Sequence, residues 1–258
     1  MEPLLFEKKG NVGLLILNRP EERNALSLEL IDNIQEKLNL LKKDDEIKVI
    51  IIKGNGPSFC AGHSFNELVG KNYDIHHFRK IFSECTKMME LLHKIPQPVI
   101  AQVHGVATAA GCQLVASCDL AIAEKNAMFC TPGIKLGLFC STPMVPLTRV
   151  IGRRRALDML FTGRNVSAEE AEKFGLINKV VEPEKLSEET EKMAQEIAQF
   201  SSFTLGFGKQ AFYNQIDQSE KAAYNFVIEA IAFNCISEDA QEGMKAFLEK
   251  RAPKWKNR

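Results

Sequence analysis

The chain has 258 residues, enough for one large α/β domain or two small ones. Lys+Arg and Asp+Glu both number 33, so the formal net charge is zero, which removes the electrostatic case for nucleic acid or an anionic membrane surface. No apolar run reaches the length of a membrane span, and the seven cysteines form no Cys-x-x-Cys pair, which points to a reducing, intracellular setting.

The opening, MEPLLFEKKG, carries two glutamates and no arginine. It does not read as a mitochondrial presequence, so the expectation is a cytoplasmic protein. Val12 to Leu17 is a compact apolar run that stops at Asn18-Arg19-Pro20, a strand meeting a turn. Ser27 is placed to cap a helix whose apolar stripe is Leu30, Ile31, Ile34, Leu38 and Leu41. Val49 to Ile52 reads as a buried strand, broken by Gly54-Asn55-Gly56-Pro57. A small-residue turn follows at Phe59-Cys60-Ala61-Gly62-His63. Ile75 to Leu92 repeats Ile81, Cys85, Met88 and Leu92 at helical spacing. Pro98 to Val103 is another buried strand, His104 to Gly111 a second small-residue turn, and a helix begins near Cys112 and runs to about Ser117. This alternation of strand and helix predicts a largely parallel sheet between helices.

The last hundred residues read as helical. Arg153 to Phe161 is one helix. Ser167-Ala168-Glu169-Glu170 is a capping box for a helix that ends at Gly175. Glu184 to Phe200, Glu220 to Cys235 and Glu238 to Arg251 are three more, the last with acids at its start and Lys250 and Arg251 at its end. The composition shifts near Gly152 without a flexible linker.

The turns Ala61-Gly62-His63 and Ala109-Ala110-Gly111 each follow a predicted strand. Ligands of parallel sheets bind beyond the carboxyl ends of the strands, so both turns are expected on one edge. One N–H from each could then converge on a carbonyl oxygen and stabilise negative charge there. A plain pair of tight strand–helix junctions has the same spacing.

The motifs that decide between these readings run the length of the chain. They are Leu17-Asn18-Arg19-Pro20 with Asn24-Ala25-Leu26; Phe59-Cys60-Ala61-Gly62-His63; Pro98-Val99-Ile100-Ala101 with Gly105; Gly111-Cys112 with Leu114 and Cys118-Asp119; Leu136-Gly137; Leu160-Phe161-Thr162-Gly163; and Glu249-Lys250-Arg251. In this order and spacing the sequence resembles the enoyl-CoA hydratase/isomerase, or crotonase, superfamily. The resemblance implies an α/β fold, a crotonase-like spiral of ββα turns with a helical C-terminal tail. It implies a core over residues 1–200 and a helical trimerisation region over 201–258, assembled as a homotrimer or a dimer of trimers. The ligand it implies is an acyl-CoA thioester, with coenzyme A part of the substrate and no permanently bound cofactor. The oxyanion donors would be the N–H groups of His63 and Ala110, with the dipole of the helix near Gly111 behind them. Coenzyme A would lie along Arg23, Ala25, Ala61, His63 and Phe65. Phe247 and Lys250 would reach it from the tail, often across subunits; the bland role for Lys250 is a charge at a helix end.

The resemblance also exposes two departures. The family motif Gly-Gly-Cys-Glu aligns with Ala110-Gly111-Cys112-Gln113, and Gln-Pro-Glu aligns with Thr131-Pro132-Gly133. Both glutamates of a hydratase would be absent. Gln113 accepts hydrogen bonds but no proton, and Gly133 has no side chain. Acid–base help is worth roughly 100- to 10,000-fold per group, so hydration is expected to be very slow. Ser64 stands where the family often has Asp. Cys140, in Leu138-Phe139-Cys140-Ser141-Thr142-Pro143, is either a replacement nucleophile or weak acid, or a structural thiol. The His63 ring either serves the site or faces solvent, and Glu67 is either the nearest remaining acid or an exposed helix residue. Phe139, Met144, Phe78 and Ile81 are candidates for the acyl pocket. His76-His77 lacks companions at ligand spacing, so no metal site is expected. Thioester hydrolysis, decarboxylation and isomerisation remain open, as does a catalytically inactive acyl-CoA-binding or regulatory protein.

Overall fold

A computed structural model describes residues 2–69 and 74–258. The chain opens with β1 (Leu4–Lys9), β2 (Val12–Leu17), α1 (Leu28–Leu41), β3 (Val49–Gly54), α2 (Phe65–Leu68) and α3 (Ile75–Lys94). It continues through β4 (Val99–Val103), β5 (Val106–Thr108), α4 (Ala110–Ser117), β6 (Leu120–Glu124), β7 (Met128–Cys130), α5 (Met144–Ile151), α6 (Arg153–Thr162) and β8 (Val166–Ser167). The rest is α7 (Ala168–Phe174), β9 (Lys179–Val181), α8 (Leu186–Ala198), α9 (Ser202–Gln215), α10 (Glu220–Cys235) and α11 (Glu238–Leu248). Among the described residues no helix is long and apolar enough to cross a membrane.

The main sheet has the order β1-β2-β3-β4-β6-β9. Only β1 and β2 pair antiparallel; every other neighbour is parallel. Strand β2 is buried along its whole length, as a parallel strand covered on both faces must be. One face sends Leu15, Leu17, Ile50 and Ile52 into the core under α1 and α3. The other sends Val12, Leu14, Ile16 and Val49 against Ala194 and Ala198 of α8. A smaller sheet, β5-β7-β8, lies beside the main one. Its strands are two or three residues long, too short to show a periodicity in the sequence.

Several expectations need correction. Helix α4 starts at Ala110 rather than near Cys112, because Gln113 N–H already closes a turn on Ala109 O at 3.0 Å. The capping box before α7 is half made. Ser167 Oγ accepts from Glu170 N–H at 3.2 Å, but the Glu170 carboxylate turns away to the Arg164 guanidinium, where it competes with no backbone amide. The last helix ends at Leu248, and Lys250 lies beyond it at φ +53°. Lys250 therefore does not sit in the terminal turn, and Arg251 folds back onto Glu242.

Helix α9 went unforeseen. Its sequence carries two glycines and no apolar stripe; Gly206 is required because a β-carbon there would meet Pro96 Cβ at 2.7 Å. A buried ion pair holds it instead. Lys209 Nζ donates to Leu92 O, Gln97 O and Asp119 Oδ2 at 2.7, 2.8 and 2.6 Å. Asp119 also accepts from Val99 N–H and Tyr213 Oη–H. All three ammonium donors are satisfied, which makes burial of this charge tolerable. Asp119 thus ties the end of α4 to β4 and α9.

Candidate active site

The two small-residue turns do meet. Ala61 N–H donates to Arg23 O at 2.9 Å, Leu26 N–H to Gly62 O at 2.7 Å and Ser64 N–H to Leu26 O at 3.0 Å. Arg23, Ala25, Ala61 and His63 are thereby brought together, with exposed Phe65 just beyond. Asn24 makes this possible. It is fully buried, and its Nδ2 donates to Asn55 O and Ser58 O, both at 2.8 Å. Phe247 and Lys250 are carried by a different part of the fold, at the end of α11. Phe247 is 82% exposed.

The second turn is pressed against the first. Gly62 sits at φ +93°, and a β-carbon on it would come 3.0 Å from Ala109 Cβ and Thr108 O and 3.4 Å from Ala110 N. Gly111 approaches still closer: its β-carbon would be 2.2 Å from Cys60 O. These two glycines let the Ala110 amide stand beside the 61–63 turn. Among the described residues, neither His63 N–H nor Ala110 N–H donates a hydrogen bond. Ala110 is the first residue of α4, so its amide also carries the positive end of the helix dipole. Ala110 is helical, whereas Ala109 takes φ +50° and ψ −116°, a conformation costly for any residue with a β-carbon.

The side chains around these amides are neutral. Gln113 is 4% exposed, and among the described residues its buried Oε1 has no partner. It lies three residues, about one helical turn, after Ala110, and helical side chains lean toward the N-terminus, so its amide group leans toward that end of α4. The His63 ring does not face solvent. It packs edge-on against Phe82, with ring centroids 5.1 Å apart, and among the described residues neither ring nitrogen has a hydrogen-bonding partner. Burial pushes its pKa down to about 4, opposed only in part by the Leu26 carbonyl. The imidazole is therefore uncharged at neutral pH.

Gly133 and Cys140 form the far side. Gly133 is buried in a 3₁₀ turn, Pro132–Leu136, that follows β7. Ala109 N–H donates to Cys130 O at 2.9 Å, which ties that strand end to the second turn. Cys140 is half-buried and packs on the core. Burial raises its pKa, the Gly133 backbone opposes the rise, and Cys130 adds to it. Cys112 is fully buried, and its thiol is raised further by burial. Neither cysteine carries the lowered pKa of a thiolate nucleophile.

Other candidates fall elsewhere. Glu67 does not decorate a free surface: its carboxylate accepts from Leu28 N–H at 3.0 and 3.1 Å and caps α1 beside Ser27. Ile81 points into the core, while Phe78 and Phe82 line a groove of about 580 Å³ along α3, and Phe82 also packs on His63. Phe139 and Met144 remain partly exposed near α5. Sequence reasoning missed Phe82 and Cys130; neither belongs to a motif, and only the tertiary arrangement places them at the site.

Comparison with known proteins fits this geometry. A family model described as enoyl-CoA hydratase/isomerase matches residues 7–258. Enoyl-CoA hydratase domain-containing protein 3, mitochondrial, of Xenopus laevis is 44% identical over 254 residues, covering 97% of this chain and 85% of that protein. The crystal structure of human enoyl-CoA hydratase domain-containing protein 3 superposes with a TM-score of 0.95 at 42% identity, over 98% of this chain and 100% of that one. That of an enoyl-CoA hydratase from Mycobacterium smegmatis gives the same TM-score and identity over 98% of both chains. The expected spiral fold with a helical C-terminal region is therefore correct. The cytoplasmic expectation is overturned: the vertebrate relatives at 42–44% identity are named as mitochondrial.

Proposed function

Because the chain belongs to the enoyl-CoA hydratase/isomerase family, we propose that it binds an acyl-CoA thioester with its carbonyl oxygen between the His63 and Ala110 amides, and performs a reaction other than efficient hydration. The observation that carries this reading is the pair of unpartnered N–H groups on two abutting turns. Such donors stabilise an enolate or tetrahedral oxyanion, and losing one in other enzymes costs on the order of 3 kcal/mol of barrier. Coenzyme A would run along Arg23, Ala25, Ala61 and Phe65, and the acyl chain toward the α3 groove.

Hydration needs a group that takes a proton from water and another that delivers one to carbon. Gln113 and Gly133 supply neither, and the His63 imidazole, with its pKa near 4, is a weak base. Thioester hydrolysis, decarboxylation and a slow double-bond shift all pass through an enolate or oxyanion that these two amides stabilise, and decarboxylation generates its enolate without a protein base. Turnover of a panel of acyl-CoAs by purified protein, with binding followed by calorimetry, tests this. Tight binding without turnover of any class would favour an acyl-CoA-holding protein, a second reading supported by the unpartnered Gln113 amide in place of an acid. No binding of any CoA ester would end both.

The same reading extends to assembly and location. Helix α10 buries none of its residues within the chain, yet carries exposed Tyr224, Ile228, Ile231 and Phe233. A homotrimer or dimer of trimers would cover them and bring Phe247 and Lys250 to a neighbour's coenzyme A; light scattering that gave a monomer would remove this part. The names of the relatives support a mitochondrial setting, which imaging of the tagged protein in its own cells would check.

A further inference from the structure

Cys140 and Gly133 share one space. A β-carbon on Gly133 would lie 2.8 Å from Cys140 Sγ, so the thiol occupies the room that a side chain at 133 would take. The loop that carries Cys140 runs straight into α5, whose first amide, Met144 N–H, donates to Cys140 O at 3.1 Å. Helix α5 packs on α4, the helix whose first amide is the free Ala110 N–H. Cys130, which influences the Cys140 thiol, accepts through its carbonyl from Ala109 N–H. The Cys140 loop therefore lies against α4, and its thiol is near enough to Cys112, in the first turn of that helix, to raise the Cys112 pKa. A second, independent feature asks for a ligand: among the described residues, Gln113 Oε1, on a residue only 4% exposed, has no partner.

We propose that Cys140 is a covalent capture site for α,β-unsaturated acyl-CoA thioesters. This rests on the acyl-CoA reading above. The step is addition of the thiol across the carbon–carbon double bond. A Cys140 Sγ–Cβ bond forms while the Cα–Cβ π bond breaks, and its electrons move through the enolate whose oxygen the His63 and Ala110 amides hold. The thiol proton, released to solvent as sulfur attacks, is replaced by a proton on the α-carbon. Nothing is oxidised or reduced, and no group leaves: the protein gains the whole enoyl-CoA as a thioether, with the thioester intact. The thiol is shielded and held mostly protonated, so it is a poor target for electrophiles in free solution. Binding supplies what the thiol lacks, by fixing the β-carbon beside the sulfur and lowering the enolate's energy. A saturated acyl-CoA would occupy the same site and leave the thiol unchanged.

Incubation with crotonyl-CoA, followed by intact mass and peptide mapping, tests the proposal, with exposed Cys235 as the internal control for unassisted reaction. The expected result is one crotonyl-CoA added at Cys140, about tenfold or more faster than at Cys235, as effective concentration in a bound complex allows. The rate rises with pH, butyryl-CoA forms no adduct and slows capture, and Cys140→Ser removes it. Mapping on the unaltered chain decides the matter even if the variant folds poorly. Addition only at Cys235, or equally at both thiols, overturns the proposal. If butyryl-CoA binds by calorimetry while Cys140 stays free in crotonyl-CoA, capture fails and the acyl-CoA reading stands; if neither ester binds, both fail.

Discussion

The Sγ atom of Cys140 crowds the place where a side chain on Gly133 would begin, 2.8 Å from its virtual β-carbon, and Leu138 O lies 2.9 Å from the same point. One contact is a thiol that could rotate, and the other is backbone that cannot. Gly133→Ala is therefore expected to lower stability by about 1–3 kcal/mol, as overpacking does in a close-packed site. Pairing it with Cys140→Ala should recover part of that loss but not all, because Leu138 O remains. Urea midpoints of the two single variants and the double variant check this, and strict additivity would contradict it. Installing glutamates at 113 and 133 to create a hydratase would then require Cys140→Ala as well.

Adjacent alanines should respond to glycine with opposite signs. Ala109, at φ +50°, holds strain of about 1–3 kcal/mol. Ala109→Gly releases it against an unfolded-state entropy cost of about 0.4–1 kcal/mol, for a net gain near 1 kcal/mol. Ala110 is helical and unstrained, so Ala110→Gly should cost up to about 1 kcal/mol. Denaturation curves measured side by side give the signs directly.

The buried Lys209–Asp119 pair should be indispensable to the tail. Removing one partner of a buried pair costs about 3–5 kcal/mol, because the other is left charged and unpaired. Lys209→Met strands Asp119 with only Val99 N–H and Tyr213 Oη–H as donors. Thermal unfolding of Lys209→Met and Asp119→Asn, with hydrogen exchange in α9, measures the loss. A shift no larger than that of a surface substitution would show that the pair contributes little.

His63 makes stability depend on pH. Its folded pKa is about 4, while in the unfolded chain it titrates near the ordinary value of about 6.5. Above pH 6.5 the ring is neutral in both states and imposes no penalty. As pH falls from about 6.5 to 4, the unfolded chain gains a proton that the folded chain refuses, so stability drops by up to about 3 kcal/mol. Below 4 the loss from this group levels off. Carboxylates also titrate in this range, so the informative quantity is the difference between the native chain and His63→Gln. The native chain should lose more stability between pH 7 and pH 5, and parallel curves would contradict the buried neutral ring.

Residue type alone was enough for much of this protein. The runs Val12–Leu17, Val49–Ile52 and Pro98–Val103 could only be buried strands, and Ser27 could hardly avoid capping the stripe from Leu30 to Leu41. The order of its motifs identified the family. These are local properties, fixed by side-chain polarity, period and spacing. What needed the folded chain were the relations between distant segments. Ala109 has no local reason to take a positive φ; it does so because Gly62 and Cys60 hold the neighbouring turn against it. Lys209 looks like any surface lysine until Leu92, Gln97 and Asp119 close around it. Glu67 resembles a solvated acid until α1 presents Leu28 N–H to it. Burial and partner choice depend on which surfaces meet, and no window of neighbouring residues contains that information.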